Sequence, residues 1–270
     1  MSKNQTFFIR LLVISILFFP LSIKSFSQSL TLKEIEKDLS DTYSKIFPFY
    51  YGNHDSLDFY SSLFSDKMHK YIGEYPSTLN YPFQSLIDSN DCTIVTSKDR
   101  LFRIYSWDTW LGGTMHFFEN IYQYGSGNRA FSKTDSLEEG DPSGFYSDIF
   151  ILEANNKTYY LAIEHGMYST RDVGESIGVF TIENNRLNDT VKLIKTSSRF
   201  TNSISIGFDF FKAPDNGERP IRLIKYDIHK KIIYIPIVLE DGTVTSKFIL
   251  YKFNGKYFER ITPKKTTSKY

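Results

Sequence analysis

From residue 92 to 261 the chain is a run of short aromatic and β-branched segments, each closed by a polar, turn-forming cluster. That alternation leaves room for little but antiparallel β-structure. Strands are expected over 145–152 and 158–164, joined through Asn155-Asn156-Lys157. Others are expected over 177–183, then after Asn184-Asn185 over 187–196, and over 203–211, 221–228, 232–240 and 246–253. Asn254-Gly255 is a strong hairpin turn, with 256–261 returning from it.

Ahead of the strands, Leu32, Ile35, Leu39, Tyr43 and Ile46 recur at helical spacing over 31–46, with Thr31 and Glu34 spaced as a capping box. Leu57, Tyr60, Leu63, Phe64, Met68 and Ile72 mark a second helix over 56–72. Gly52-Asn53 separates the two, and Tyr75-Pro76 and Tyr81-Pro82 end the helical region. Residues 77–91 then form an irregular connection with a short helical turn.

The N-terminus reads as an export signal. Lys3 and Arg10 precede an apolar run over 11–20, interrupted by Pro20 and Lys24. A bilayer span needs about 20 apolar residues, so the run is too short. Ser25-Phe26-Ser27 places small residues where signal peptidase reads, leaving Gln28 as the new first residue. An uncleaved membrane anchor is the competing reading. No cysteine follows the run, which argues against a lipid-anchored form. The expected location is therefore periplasmic or extracellular, with no membrane span after signal cleavage. The single cysteine, Cys92, permits no internal disulfide, so stability must come from the core. A formal net charge of +1 gives no global attraction to nucleic acid, and none is expected as a partner.

Three sections share one pattern of polar turn, strand, loop, strand and polar turn. Their strand pairs are LFRIYSW with FFENIYQY, YYLAIEH with IGVFTIE, and IIYIPIV with KFILYKF. The pattern resembles the four-stranded blades of a β-propeller, but three units are fewer than the four or more that a propeller needs. The expected fold is mainly β: a curved antiparallel meander or incomplete propeller-like stack, with two N-terminal helices covering an edge. By segment, 1–27 is the signal peptide, 28–90 a helical segment packed on the sheet, 91–261 the antiparallel β domain, and 262–270 a basic tail.

The most aromatic stretch, 100–124, holds both tryptophans and a concentration of reactive side chains. If Gly112-Gly113 forms a two-residue turn, Trp107 opposes Phe118 and Tyr105 opposes Asn120. One face then carries Arg103, Tyr105, Trp107, Thr109 and His116; the other carries Ser106, Asp108, Trp110 and Glu119. A longer loop over 108–114 would keep the strands and change the pairs. Arg103, Tyr105, Trp107, Trp110 and His116 are the candidate ligand-binding residues, forming an aromatic platform for a planar or sugar-like ligand. The competing reading is a packed face with Arg103 lying over a ring.

Asp108 and Glu119 are the candidate catalytic pair, since glycosidases use two carboxyls about 5–9.5 Å apart. A nucleophile at Ser106 or Thr109 lacks the Gly-x-Ser-x-Gly surround. Glu164 and His165 occupy, in the second unit, the place that Asp108 and its glycines hold in the first. The loops at that end are therefore the expected functional edge. No spacing of His116, His165, Asp172 and Asp209 predicts a metal site, and no cofactor is expected.

The string over 96–124, TSKDRLFRIYSWDTWLGGTMHFFENIYQY, resembles a segment of exported bacterial proteins of unknown function. In these a serine–aspartate turn leads into RxYSWDTxxGGT. The resemblance implies export and carries no activity. The expected function is a non-catalytic binding or structural module of the cell envelope, with a glycan or an envelope protein as partner. The alternative is a hydrolase of envelope or extracellular polymers using the paired carboxylates.

Overall fold

Each of the three repeated strand pairs lies within a different sheet. The structure, a computed structural model, describes residues 29–49, 52–90, 92–134, 140–214 and 220–262. The expected signal peptide and all but the first residue of the expected basic tail lie outside the described residues.

The first sheet is a meander in chain order: β1 (Thr93–Thr96), β2 (Phe102–Asp108), β3 (Phe118–Ser126) and β4 (Arg129–Thr134). The second is built from β5 (Phe145–Ala154), β6 (Lys157–Met167) and β7 (Asp172–Glu183), with β8 (Arg186–Asn188) also pairing β7. The third combines β9 (Ile194–Lys195), β10 (Phe200–Thr201), β12 (Lys225–Asp227), β13 (Ile232–Val238), β14 (Val244–Phe253) and β15 (Phe258–Ile261). Between β10 and β12 the chain returns to the second sheet as β11 (Ser203–Asp209), beside β7. Pairing is antiparallel throughout the described strands except between β15 and β9.

Turn chemistry sets the registers. Asn155 and Asn156 take φ of 53° and 58°, and Asn184 and Asn185 take 52° and 61°. Two successive left-handed residues make the tight hairpin turn that suits the twist of antiparallel strands, and asparagine tolerates that conformation well. The strand expected over 187–196 is only the short β8 and β9, and the one expected over 221–228 begins at Lys225.

Side-chain alternation divides the strands into layers. Helices α1 (Leu32–Tyr43), α2 (His54–Glu74) and α3 (Gln84–Asp88) cover one face of the first sheet. Ile35, Leu39, Phe64, Met68 and Leu86 pack there against Tyr105, Trp107 and Ile121, with Cys92 buried among them. The other face presents Phe102, Ile104 and Tyr122 to Tyr160, Ala162 and Phe180 of the second sheet. The alternate residues Leu161, Ile163, Ile177 and Val179 pack against Ile233, Ile235, Tyr251 and Phe258 of the third. Each large side chain fully buried in these layers stabilises the fold by roughly 1.5–3 kcal/mol. No helix among the described residues is long and apolar enough to cross a membrane.

The central hairpin differs from its expected register by one residue. Ser106 pairs with Asn120, Trp107 with Glu119 and Asp108 with Phe118. Residues 109–117 form a long loop, so the glycine pair is not the turn. The left-handed position is Trp110, at φ 58°, whose amide is bound by Asp108 Oδ1 at 2.9 Å. Gly112 is needed for a different reason: a Cβ there would lie 1.9 Å from the carbonyl oxygen of Met115. The one-residue shift exchanges face partners. Trp107 and Glu119 share the helix side, while Asp108 and Phe118 face the second sheet.

Candidate functional site

Where the first and second sheets meet at the loop end, residues of both line a cavity of about 540 Å³. Main-chain bonds hold the two sheets together there. The His116 amide donates to the carbonyl of Met167 at 2.9 Å, and the Phe118 amide to that of Pro142 at 2.9 Å. Ser106 Oγ accepts from the Tyr146 amide at 3.1 Å and donates to Asn120 Oδ1 at 2.6 Å.

The end of β2 and the 109–117 loop supply one wall. His116 Nδ1 lies 2.5 Å from Asp108 Oδ2, while the other carboxylate oxygen holds the Trp110 amide. The imidazole is thus fixed by a carboxylate that is itself fixed by a turn. Phe118 stacks on His116 at 6.3 Å and 19°, and Trp110 meets it edge-on at 6.0 Å. The Trp110 indole N–H donates to the Tyr43 hydroxyl at 2.9 Å, tying the loop to α1.

The second sheet supplies the opposite wall. His165, 5% exposed, stacks on Phe145 at 5.1 Å, and its Nε2 lies 2.8 Å from Ser147 Oγ. Burial, aided by the Arg222 cation, pulls the His165 pKa down to about 4, so the ring is neutral at neutral pH. Phe208 and Phe210 close one side, and Pro220, Ile221 and Arg222 another. Arg222 Nε sits 3.3 Å from Asp148 Oδ2.

Of the residues singled out from the sequence, Asp108, Trp107, Trp110, His116 and His165 line this one cavity. The expected functional edge, where the first and second units present equivalent loops, is thus where these side chains gather. Arg103 and Tyr105 are elsewhere, in the helix-side core. Arg103 Nη1 donates to the carbonyls of Thr78 and Tyr81 at 2.8 and 2.5 Å, and its guanidinium lies 5.6 Å from the Tyr105 ring centre. Tyr105 is fully buried and donates to the Thr78 carbonyl at 2.9 Å. The packed-face reading describes them, because the helices cover that side of β2.

The pair Asp108 and Glu119 is not brought together. The register places them on opposite faces, and Glu119 accepts from Ser65 Oγ of α2 at 2.5 Å. Glu164 faces away from His165, as its strand neighbour must. It accepts from Ser176 Oγ at 3.0 Å in a separate cleft of about 670 Å³. Among the described residues no group of three or more His, Cys, Asp and Glu side chains is placed to hold a metal.

Sequence reasoning missed Phe145, Ser147, Arg222 and Glu175. Glu175 did carry a signal. It occupies the inward phase of β7, in register with Ile177 and Val179, where an apolar side chain is expected. It lies directly across from His165, 2% exposed, and burial pushes its pKa up to about 7 despite amide bonds from Leu223 and Ile224. Arg222 has no comparable sequence signal, since it reaches the cavity from an irregular segment.

No protein-family model matches the chain, no curated protein is significantly similar to it, and no solved structure matches it.

Proposed function

We propose that this protein is an exported binding module of the cell envelope, and that it holds a small, partly planar ligand such as an envelope glycan fragment in the cavity at the loop end where its first two sheets meet. The observation that carries this reading is the composition of the walls. Rings of Trp110, Phe118, Phe145, Phe208 and Phe210 supply apolar faces, while His116, His165, Ser147 and Arg222 supply a few convergent polar groups. Concave, mainly apolar sites of roughly 300–1,000 Å³ with a small number of placed polar groups are the usual form of a small-molecule site. Export is supported by the basic, apolar, small-residue order of 1–27.

The test is a thermal-shift screen of residues 28–270 against peptidoglycan fragments, other glycans, nucleotides and aromatic acids. A rise in melting temperature with glycans, lost in Trp110→Ala with the fold intact, supports the reading. A rise confined to another class, or one unaffected by Trp110→Ala, refutes it.

One observation favours a hydrolytic second reading: the carboxylate-held imidazole of Asp108 and His116 at 2.5 Å. An oriented histidine is the commonest general base, and a carboxylate on one ring nitrogen sets its tautomer. On this reading His116 activates water, and Asp108 positions it without Glu119. Release of p-nitrophenol from p-nitrophenyl esters or glycosides, abolished in His116→Asn, would favour hydrolysis over simple binding. No turnover with either substrate class sinks it.

A further inference from the structure

The segment 220–224 reaches the cavity without belonging to a strand, so its amides need acceptors from elsewhere. Leu223 and Ile224, 6% and 4% exposed, both donate to a single atom, Glu175 Oε2, at 2.8 and 2.9 Å. The same segment carries Pro220, Ile221 and Arg222 into the cavity wall. Where Glu175 holds this segment therefore decides the shape of the cavity on that side.

We propose that Glu175 is a proton-sensitive latch on the 220–224 wall, seating it when the carboxyl is neutral and loosening it when the carboxyl ionises. The consequence for ligand affinity rests on the binding reading above; the latch itself does not.

The geometry favours the neutral acid. Glu175 is 2% exposed, and its Oε1 has no hydrogen-bond partner. The charged and titratable groups that face it come from each neighbouring element. His165 lies across on β6 and is neutral, while Arg222, on the wall itself, is engaged by Asp148 of β5 at 3.3 Å. The remaining cross-strand neighbour, Ile206 of β11, is apolar. A buried carboxylate with one oxygen unserved is costly, whereas the protonated acid still offers a carbonyl oxygen to both amides. Burial accordingly outweighs the amide bonds and the Arg222 charge and raises the pKa to about 7. For a carboxyl raised in the seated state, seating is fully favoured below the pKa of the open, hydrated carboxyl. It weakens as pH rises towards the seated value.

The experiment is amide hydrogen exchange at Leu223 and Ile224 in wild type and Glu175→Gln, from pH 5.5 to 8.5, corrected for intrinsic exchange. Glutamine keeps a carbonyl oxygen for the amides but does not ionise. Protection in wild type should fall about 30-fold relative to the variant across that range, one and a half pH units of linkage at tenfold each. Parallel behaviour of the two proteins overturns the latch. Should the variant fail to fold, the carbon-13 shift of the Glu175 carboxyl in wild type decides. Titration near neutrality supports the latch, and titration at the ordinary 4.5 overturns it. Anilinonaphthalene sulfonate serves as a cavity probe on the folded proteins. A Kd that rises from pH 6 to 8 in wild type but not in Glu175→Gln supports the linkage, and equal Kd values overturn it. Failure of both the probe and peptidoglycan fragments to bind at any pH, with exchange as expected, refutes the binding reading and leaves the latch supported.

Discussion

Glu175→Gln should make the whole fold less sensitive to alkali. The folded carboxyl sits at about 7 against an ordinary 4.5, with burial as the largest cause. A raised carboxyl pKa penalises folding in proportion to the pH interval between the two values, at about 1.4 kcal/mol per unit. The penalty is absent below pH 4.5, reaches about 1 kcal/mol at pH 5.5, and levels off at about 3 kcal/mol above pH 7. Between pH 5.5 and 8.5 the wild type should therefore lose about 2 kcal/mol relative to the variant. The assay is urea denaturation of both proteins at closely spaced pH values, fitted with one slope m per protein. His165 titrates in both and cancels to first order in the comparison. A stability gap constant to within about 0.5 kcal/mol over this range would refute the argument, given the error of such measurements.

His165 should act in the opposite direction. Its pKa is lowered from 6.5 to about 4, so the stability it confers is complete above 6.5 and declines as pH falls towards 4. At pH 4.5 wild type should have lost about 3 kcal/mol that His165→Gln retains, read by the same denaturation series. Gly112→Ala should destabilise by ~2 kcal/mol or more, since its Cβ would overlap the Met115 carbonyl, while Gly113→Ala, with open space around it, should be near neutral. Equal melting temperatures for the two variants would refute the close-approach argument. Asp108→Asn should cost about 1 kcal/mol and weaken probe binding, because Oδ1 caps the Trp110 amide and Oδ2 orients His116. An unchanged His116 ring environment by NMR would count against it. Phe64→Ala should cost about 3–5 kcal/mol, as its ring is fully buried against Tyr43 and Trp107 at 4.9 and 5.7 Å.

The legible parts of this fold were those encoded by local chemistry. Asn155-Asn156 and Asn184-Asn185 specify their turns by tolerance of left-handed backbone, and both sit at hairpin junctions. Helical spacing in Leu57, Phe64, Met68 and Ile72 found α2, with Asn53 capping it through Ser56 N at 3.2 Å. The hairpin register was not legible, because Gly112-Gly113 imitates a turn signal while the glycine answers to a carbonyl. A shift of one residue then moves every side chain to the other face, which is why Asp108 and Glu119 separate. The cavity itself was half legible. Asp108 was found as a carboxylate at a strand end, His116 as a polar member of the aromatic stretch, and His165 by its equivalent place in the second unit. Ser147 and Arg222 come from segments whose approach only tertiary packing dictates.

The lone parallel contact bears on the order in which the chain assembles. Every strand of the first sheet finds its partner next along the sequence, so its closure costs little chain entropy. β9 instead pairs with β15, Ile194 beside Phe258, a separation of 258 − 194 = 64 positions. Phe258 is completely buried, and its amide donates to the Leu193 carbonyl at 2.8 Å, so this strand also seals the layer between the second and third sheets. Folding should run from the N-terminal meander towards the C-terminus, and β9, paired on one side with β10, keeps its other edge as an open template until β15 arrives. A chain that stops short of Tyr257 would leave that template exposed, which makes the last strand a guard against strand-to-strand aggregation as well as a piece of core.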